Sequence, residues 1–87
     1  MIKYRPHRRT LDEAMAEEQT FETSDQMLEY VADNSYGLFT KDDLTISNDF
    51  GKDNRINWRE TRYICTQRFG EVKYDVPQCI GMCSFED

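Results

Sequence analysis

The chain has 87 residues, of which 38% are hydrophobic and 13% aromatic. A chain this short builds one core, so we expect a single domain over residues 1–87 and exclude a multidomain protein. No run of about 18 uncharged apolar residues occurs, and the first residues lack the apolar segment of a secretory signal. We therefore expect a protein of the cytoplasm without a membrane-spanning helix, whose three cysteines stay reduced.

The 17 acidic and 11 basic side chains give a net charge of -6, but they are unevenly distributed. Four basic residues and no acid fall within residues 1–9, so the rest of the chain carries seven basic against 17 acidic side chains. An acidic body repels nucleic acid and is attracted to basic grooves on proteins that hold nucleic acid. We therefore expect a protein partner and no direct binding of nucleic acid.

Two helices are predicted in the first half of the chain. Residues 2–5 alternate apolar and basic side chains, which predicts a short edge strand limited by Pro6. The Thr10 and Glu13 pair has the spacing of a capping box and predicts a short helix after it. The Thr23 and Gln26 pair repeats that spacing before a run of apolar residues at helical intervals, so a second helix is expected up to Asn34.

Strands are predicted in the second half. Apolar and polar residues alternate at residues 44–47 and 72–76, and residues 61–69 are rich in β-branched and aromatic side chains. Each of these three segments predicts a strand. Turn formers at residues 48–54, followed by the alternating Ile56 and Trp58, predict a hairpin, and Gly70-Glu71 predicts a second tight turn. We expect Pro77 to end the last strand and the apolar tail to pack back onto the sheet.

These elements predict an α+β fold, with two short N-terminal helices packed on one face of a three- to four-stranded antiparallel sheet. The predicted core consists of the larger apolar side chains of the second helix and the strands. These are Met27, Leu28, Val31, Trp58, Tyr63 and Phe69.

Acidic residues on the second helix form the leading candidate site. They recur about once per helical turn, which places negative charges roughly 5 to 6 Å apart, a spacing comparable to that of successive phosphates. Such a surface could imitate a nucleic-acid backbone and occupy a basic groove of a host protein, although an ordinary solvated helix face has the same pattern. The predicted contact residues are Glu22, Asp25, Glu29, Asp33, Asp42 and Asp43, supplemented by Asp49 and Asp53.

The basic N-terminal segment suggests an alternative function. Arg5, His7, Arg8 and Arg9 directly precede the first helix, where guanidinium groups and free N–H groups could hold the phosphate of a nucleotide signal. Pairing of the arginines with the acidic helices is the competing interpretation.

A second alternative is a zinc-stapled structural module. Cys65, Cys79 and Cys83 supply three thiols, and His7 or a carboxylate would have to complete the four ligands of a closed zinc site. Free cysteines also pack as small apolar residues, and packing alone is the favoured explanation of these three. Signatures of phosphate-binding loops, zinc proteases and dinucleotide-binding folds are absent, so we predict a non-enzymatic protein without catalytic residues or cofactors.

Three segments of the chain carry a family resemblance. KYRPHR at residues 3–8 with LDEAM at residues 11–15, RINW at residues 55–58 and PQCIGMC at residues 77–83 resemble short proteins encoded by phages and prophages of Firmicutes. Arg9 stands where that group has glycine. The resemblance implies no catalytic residue, but it implies an origin in which small acidic proteins often disable a host factor. An anti-CRISPR-like inhibitor of an RNA-guided defence enzyme fits both this origin and the charge.

Overall fold

The structure is a computed structural model, and it describes residues 1–47 and 61–85. Its elements in chain order are β1 (Ile2–Pro6), α1 (Leu11–Ala16), β2 (Gln19–Phe21), α2 (Ser24–Asp33), a 3₁₀ helix (Lys41–Asp43), β3 (Leu44–Ser47), β4 (Thr61–Phe69) and β5 (Val72–Phe85). The strands form one antiparallel sheet in the order β2-β1-β5-β4-β3. The α+β class is therefore confirmed, but the sheet has five strands instead of three or four. Within the described ranges, no helix is long and apolar enough to cross a bilayer.

The C-terminal strand β5 lies at the centre of this sheet. Its residues 81–85 pair with β1 on one side, and residues 81–84 pair with β4 on the other. The prediction that Pro77 ends a strand is wrong, because β5 continues through an irregularity in which residues 74–77 lie opposite Gln67. The Gln67 side chain donates to the carbonyl oxygens of Tyr74 and Asp75 at 3.4 and 3.2 Å. Since proline has no N–H to donate, a bulge at this position removes it from the regular ladder.

The first strand is also placed differently from the prediction. β1 is not an edge strand, because the three residues of β2 pair along its outer side, with Ile2 opposite Phe21 and Tyr4 opposite Gln19. β2 is too short to show a periodic pattern in the sequence. After α1 the chain turns back alongside β1. β2 forms there because the backbone N–H and C=O groups on the outer side of β1 need hydrogen-bond partners.

Both predicted helices begin at their caps. The Thr10 hydroxyl accepts a hydrogen bond from the Glu13 N–H at 3.2 Å at the start of α1. At the start of α2, Thr23 accepts from the Gln26 N–H, and the Gln26 side chain in turn accepts from the Thr23 N–H, which completes a capping box. Asn34 follows the last residue of α2, as predicted.

The sheet buries side chains on both faces, since neighbouring residues of a strand point to opposite sides. One cluster joins the sheet to α2, and its members include Met27, Val31, Ile64 and Cys83. A second cluster packs against Leu11 of α1, and it consists of Tyr63, Cys65 and Met82. The prediction that both helices share one face is therefore wrong. The reason is that β4 carries consecutive buried residues, so each face of the sheet needs its own cover.

Most of the predicted core is confirmed where the structure describes it. Met27, Val31 and Tyr63 are buried, and Leu28 and Phe69 are half-buried against the first cluster. Several predictions lie outside the described residues, namely the hairpin at residues 48–54 with Asp49 and Asp53, and the following strand with Ile56 and Trp58.

Gly81 lets β1 and β5 approach closely beside the site described below. A Cβ atom at this position would lie 2.8 Å from Cε1 of Tyr4 and 3.3 Å from the carbonyl oxygen of Arg5. The absence of a side chain therefore makes room for the Tyr4 ring over β5.

Replacing Met27 with alanine is expected to lower the free energy of unfolding by about 2–5 kcal/mol, because this fully buried side chain joins α2 to the sheet. The matched control is Met15→Ala on α1, which removes the same atoms from a residue that is 50% exposed. Its effect should stay within about 0.5 kcal/mol. Urea unfolding followed by circular dichroism measures both, and equal losses would contradict the packing described here.

Candidate functional site

The acidic face comprises Glu22, Asp25, Glu29 and Asp33. Three of these residues follow one another at intervals of four along α2, while Glu22 precedes the cap, and all four are exposed. The Asp25 carboxylate lies 3.8 Å from the Lys41 ammonium. No ion pair within the described part of the chain involves the carboxylates of Glu22, Glu29 or Asp33. The predicted solvent-exposed acidic side of this helix is thus present, and most of its charge is uncompensated there.

The two acids of the 3₁₀ helix differ from each other. Asp42 is exposed, as a partner contact requires. Asp43 is used by the fold, because its carboxylate accepts hydrogen bonds from the Thr40 N–H at 2.8 Å and the Thr40 hydroxyl at 3.1 Å. The bond from the Thr40 N–H is the main reason that the pKa of Asp43 lies below its usual value, and nearby Arg68 lowers it further. Asp43 therefore has fewer free lone pairs for a partner than Asp42.

Two arginines of the basic N-terminal segment are engaged by acids that follow α1. Arg8 donates through Nε and Nη2 to the Glu17 carboxylate, with an Nη2–Oε1 distance of 2.9 Å. Arg5 donates through Nε to Oε1 of Glu18 at 2.8 Å. The hydrogen bond from Arg8 lowers the pKa of Glu17, and the same bond raises that of Arg8. Pairing with acidic residues, the competing interpretation of this segment, is therefore present for these two arginines.

The three cysteines are divided between the two faces of the sheet. Cys65 and Cys79 lie opposite each other on β4 and β5 and belong to the second cluster. Cys83 lies opposite Arg62 and belongs to the first cluster. The trio of the predicted zinc site is therefore not brought together. Within residues 1–47 and 61–85, no three His, Cys, Asp or Glu side chains are grouped as metal ligands.

A cleft of about 300 Å³ opens between β1, the end of α2 and the loop that follows it. Aromatic, polar and aliphatic side chains line it together. The aromatic residues are Tyr4, Tyr30, Tyr36 and Phe39, and the polar ones are Arg8, Glu17, Asn34 and Ser35. Of the predicted anion-binding residues, only Arg8 lines this cleft.

The loop at the rim of the cleft holds Tyr36 outward. The Ser35 hydroxyl donates to the carbonyl oxygen of Ala32 at 2.6 Å and is 3.1 Å from that of Phe39, whose ring is buried. Tyr36 between them is 98% exposed and has a φ of 57°, followed by Gly37 with a φ of 81°. Left-handed backbone is unfavourable for a tyrosine, and such positions cluster at functional sites. In the sequence, a tyrosine directly before a glycine is the signal for this loop.

Comparisons with models of known protein families, with curated proteins and with solved structures found no match to this chain. Function is therefore inferred from the charges, contacts and cavities of the chain itself.

The free energy of unfolding is expected to fall as the pH rises from about 9 to about 11. Burial raises the pKa of Cys65 to about 11 and that of Cys83 to about 12, whereas an unfolded thiol ionises near about 8.5. The unfolded chain loses these protons first, so alkaline pH favours unfolding in this window.

Urea titrations at several pH values test this dependence. Cys83→Ala should make the fall shallower than in the wild type, since one of the two buried thiols is gone. A slope identical to that of the wild type would show that Cys83 does not contribute.

Proposed function

We propose that this protein is a non-enzymatic binding protein of phage origin that occupies a basic groove of a host protein with its acidic face. The observation that carries the proposal is the exposure of the four carboxylates on and beside α2, three of which form no ion pair with the described residues. The fold compensates charge elsewhere, at the pairs Arg5–Glu18 and Arg8–Glu17.

Rigidity of the helix supports this role. α2 is capped by the Thr23–Gln26 box, and its buried Met27 and Val31 attach it to the sheet. The carboxylates are therefore held at fixed spacing before the partner arrives, and less conformational entropy is lost on binding. Charges presented in this way accelerate encounter with an oppositely charged surface, and the attraction weakens as salt screens it.

The partner that best matches such a surface is a protein whose groove normally holds nucleic acid. Lysine and arginine side chains line such grooves to bind phosphates, and the carboxylates of α2 recur at a similar interval. The resemblance to phage and prophage proteins suggests a bacterial defence enzyme in the cytoplasm of the host, such as one guided by RNA. Asp42 extends the acidic surface beyond α2, and it too is exposed.

Capture of a phosphate-bearing nucleotide by the N-terminal segment is less well supported. A phosphate bound by Arg5 or Arg8 would have to displace Glu18 or Glu17, or share the arginine with it. Either arrangement places a second anion beside an existing carboxylate, which weakens binding.

The test is the combined neutralisation of the acidic face by Glu22→Gln, Asp25→Asn, Glu29→Gln and Asp33→Asn. Immobilised wild-type protein is expected to retain a partner from a Firmicutes lysate and to release it as salt is raised. The quadruple variant should bind that partner about ten- to a hundredfold more weakly, because each exposed charge pair contributes about 0.2–1 kcal/mol.

A matched control keeps the change in net charge equal. It replaces four other exposed acids with their amides, at Asp12, Glu13, Glu71 and Asp75. Affinity for the purified partner should stay close to that of the wild type in this control. The proposed surface would be rejected if the wild type and the acidic-face variant bound the partner equally well. It would also be rejected if both variants lost the same affinity, because net charge alone would then explain the effect.

A further inference from the structure

The hydroxyl group of Tyr4 is the starting point. Tyr4 is only 6% exposed, with its ring packed over Gly81 and against the ring of Tyr30 at a centroid distance of 6.0 Å. Its hydroxyl makes no hydrogen bond with the described residues. No fully buried side-chain oxygen or nitrogen in this part of the chain lacks a partner, so the Tyr4 hydroxyl must be reachable from outside. Buried tyrosines usually find a partner for this group.

Tyr4 is one of the residues that line the cleft described above. Burial is the main reason that the pKa of Tyr4 rises to about 12, but Arg8, Tyr30 and Glu17 also act on it electrostatically. The same three side chains line the cleft together with Tyr4. Tyr4 itself is a lining residue of the cleft, and its raised pKa means that the hydroxyl keeps its proton and can donate a hydrogen bond to a ligand there.

The charges around the cleft favour an uncharged ligand. Arg8 and Glu17 form a two-point ion pair with each other, which leaves the rim without net charge at that place. A phosphate would compete with Glu17, and an ammonium group would compete with Arg8. A neutral ligand leaves the pair intact. It can also accept a hydrogen bond from Tyr4.

The shape and the walls of the cleft favour a planar ring. Its volume of about 300 Å³ lies at the lower end of the range for small-molecule sites. Tyr30 and the exposed Tyr36 are among the aromatic residues that line it, and planar bases of any identity stack on aromatic rings. The Asn34 amide donates to the Tyr30 carbonyl oxygen at 2.7 Å, which leaves its own oxygen available as an acceptor at the rim.

We propose that this cleft binds the uncharged base of a nucleoside, which stacks on the tyrosine rings and accepts a hydrogen bond from the Tyr4 hydroxyl. The site is separate from the acidic face, so it does not depend on the proposed function. It also differs from a phosphate site on the N-terminal arginines, because Arg5 and the exposed His7 and Arg9 do not line it.

The test is a titration of the full chain with adenosine, guanosine, cytidine and uridine, and separately with their monophosphates, followed by calorimetry and NMR. At least one nucleoside should bind the wild type. Tyr4→Phe should weaken its binding about tenfold, because it removes one hydrogen bond and nothing else. The matched control is Tyr74→Phe on β5, which deletes a hydroxyl outside the cleft and should leave affinity unchanged.

Three outcomes would overturn the proposal. These are no binding of any of the four nucleosides, equal affinity of the wild type and Tyr4→Phe, or binding of a monophosphate more than tenfold tighter than that of its nucleoside. The last result would mean that the cleft recognises an anion. Because Tyr4→Phe removes no internal hydrogen bond, the variant is expected to fold, and its NMR spectrum verifies this directly. The acidic-face quadruple variant should bind the nucleoside like the wild type, which separates this proposal from the previous one.

Discussion

The pairing of β5 with both β1 and β4 is the interaction on which the rest of the molecule depends. It brings together Ile2 and Phe85, which are far apart in the chain. It also makes β5 the central strand, and apolar side chains on both faces of the sheet must then be buried. α2 covers one face through Met27 and Val31, while α1 contributes to the other. The same pairing sets Tyr4 over Gly81 and so shapes the back of the cleft. The acidic helix and the cleft are therefore both positioned by one long-range contact.

Charge is segregated in the folded protein in a way that its linear distribution does not reveal. The chain begins with a basic segment, but Arg5 and Arg8 are engaged by Glu18 and Glu17, which follow a six-residue helix. These pairs neutralise Glu17 and Glu18, whereas Glu29 and Asp33 of α2 form no ion pair with the described residues. The two ion pairs therefore reduce the positive charge near the N-terminus. The difference in charge between that region and the acidic face changes as a result.

The candidate sites differ in how far they could be predicted. The acidic face depends on helical periodicity and on capping by Thr23, which are local properties, so its exposure was predictable. The role of Asp43 at the start of the 3₁₀ helix was not, because a carboxylate that caps a turn resembles a solvated one in sequence. The cleft was also missed. Its lining residues come from separate parts of the chain, including Tyr4, Glu17, Tyr30 and Ile80, and no pattern along the chain connects them.

The amino-acid sequence by itself determined the α+β class, the two helix starts, the turn at Gly70 and the exposed acids of α2. Each of these follows from interactions between residues close in the chain. An example is the threonine hydroxyl at a helix start, which accepts a hydrogen bond from the backbone N–H three residues later. Tertiary structure alone decided that β1 is interior, that β5 passes Pro77 to become the central strand, and that Cys83 lies away from Cys65 and Cys79. These features depend on which strands pair, although the strands are distant in the chain. The pairing that forms is the one that buries apolar side chains on both faces of the sheet.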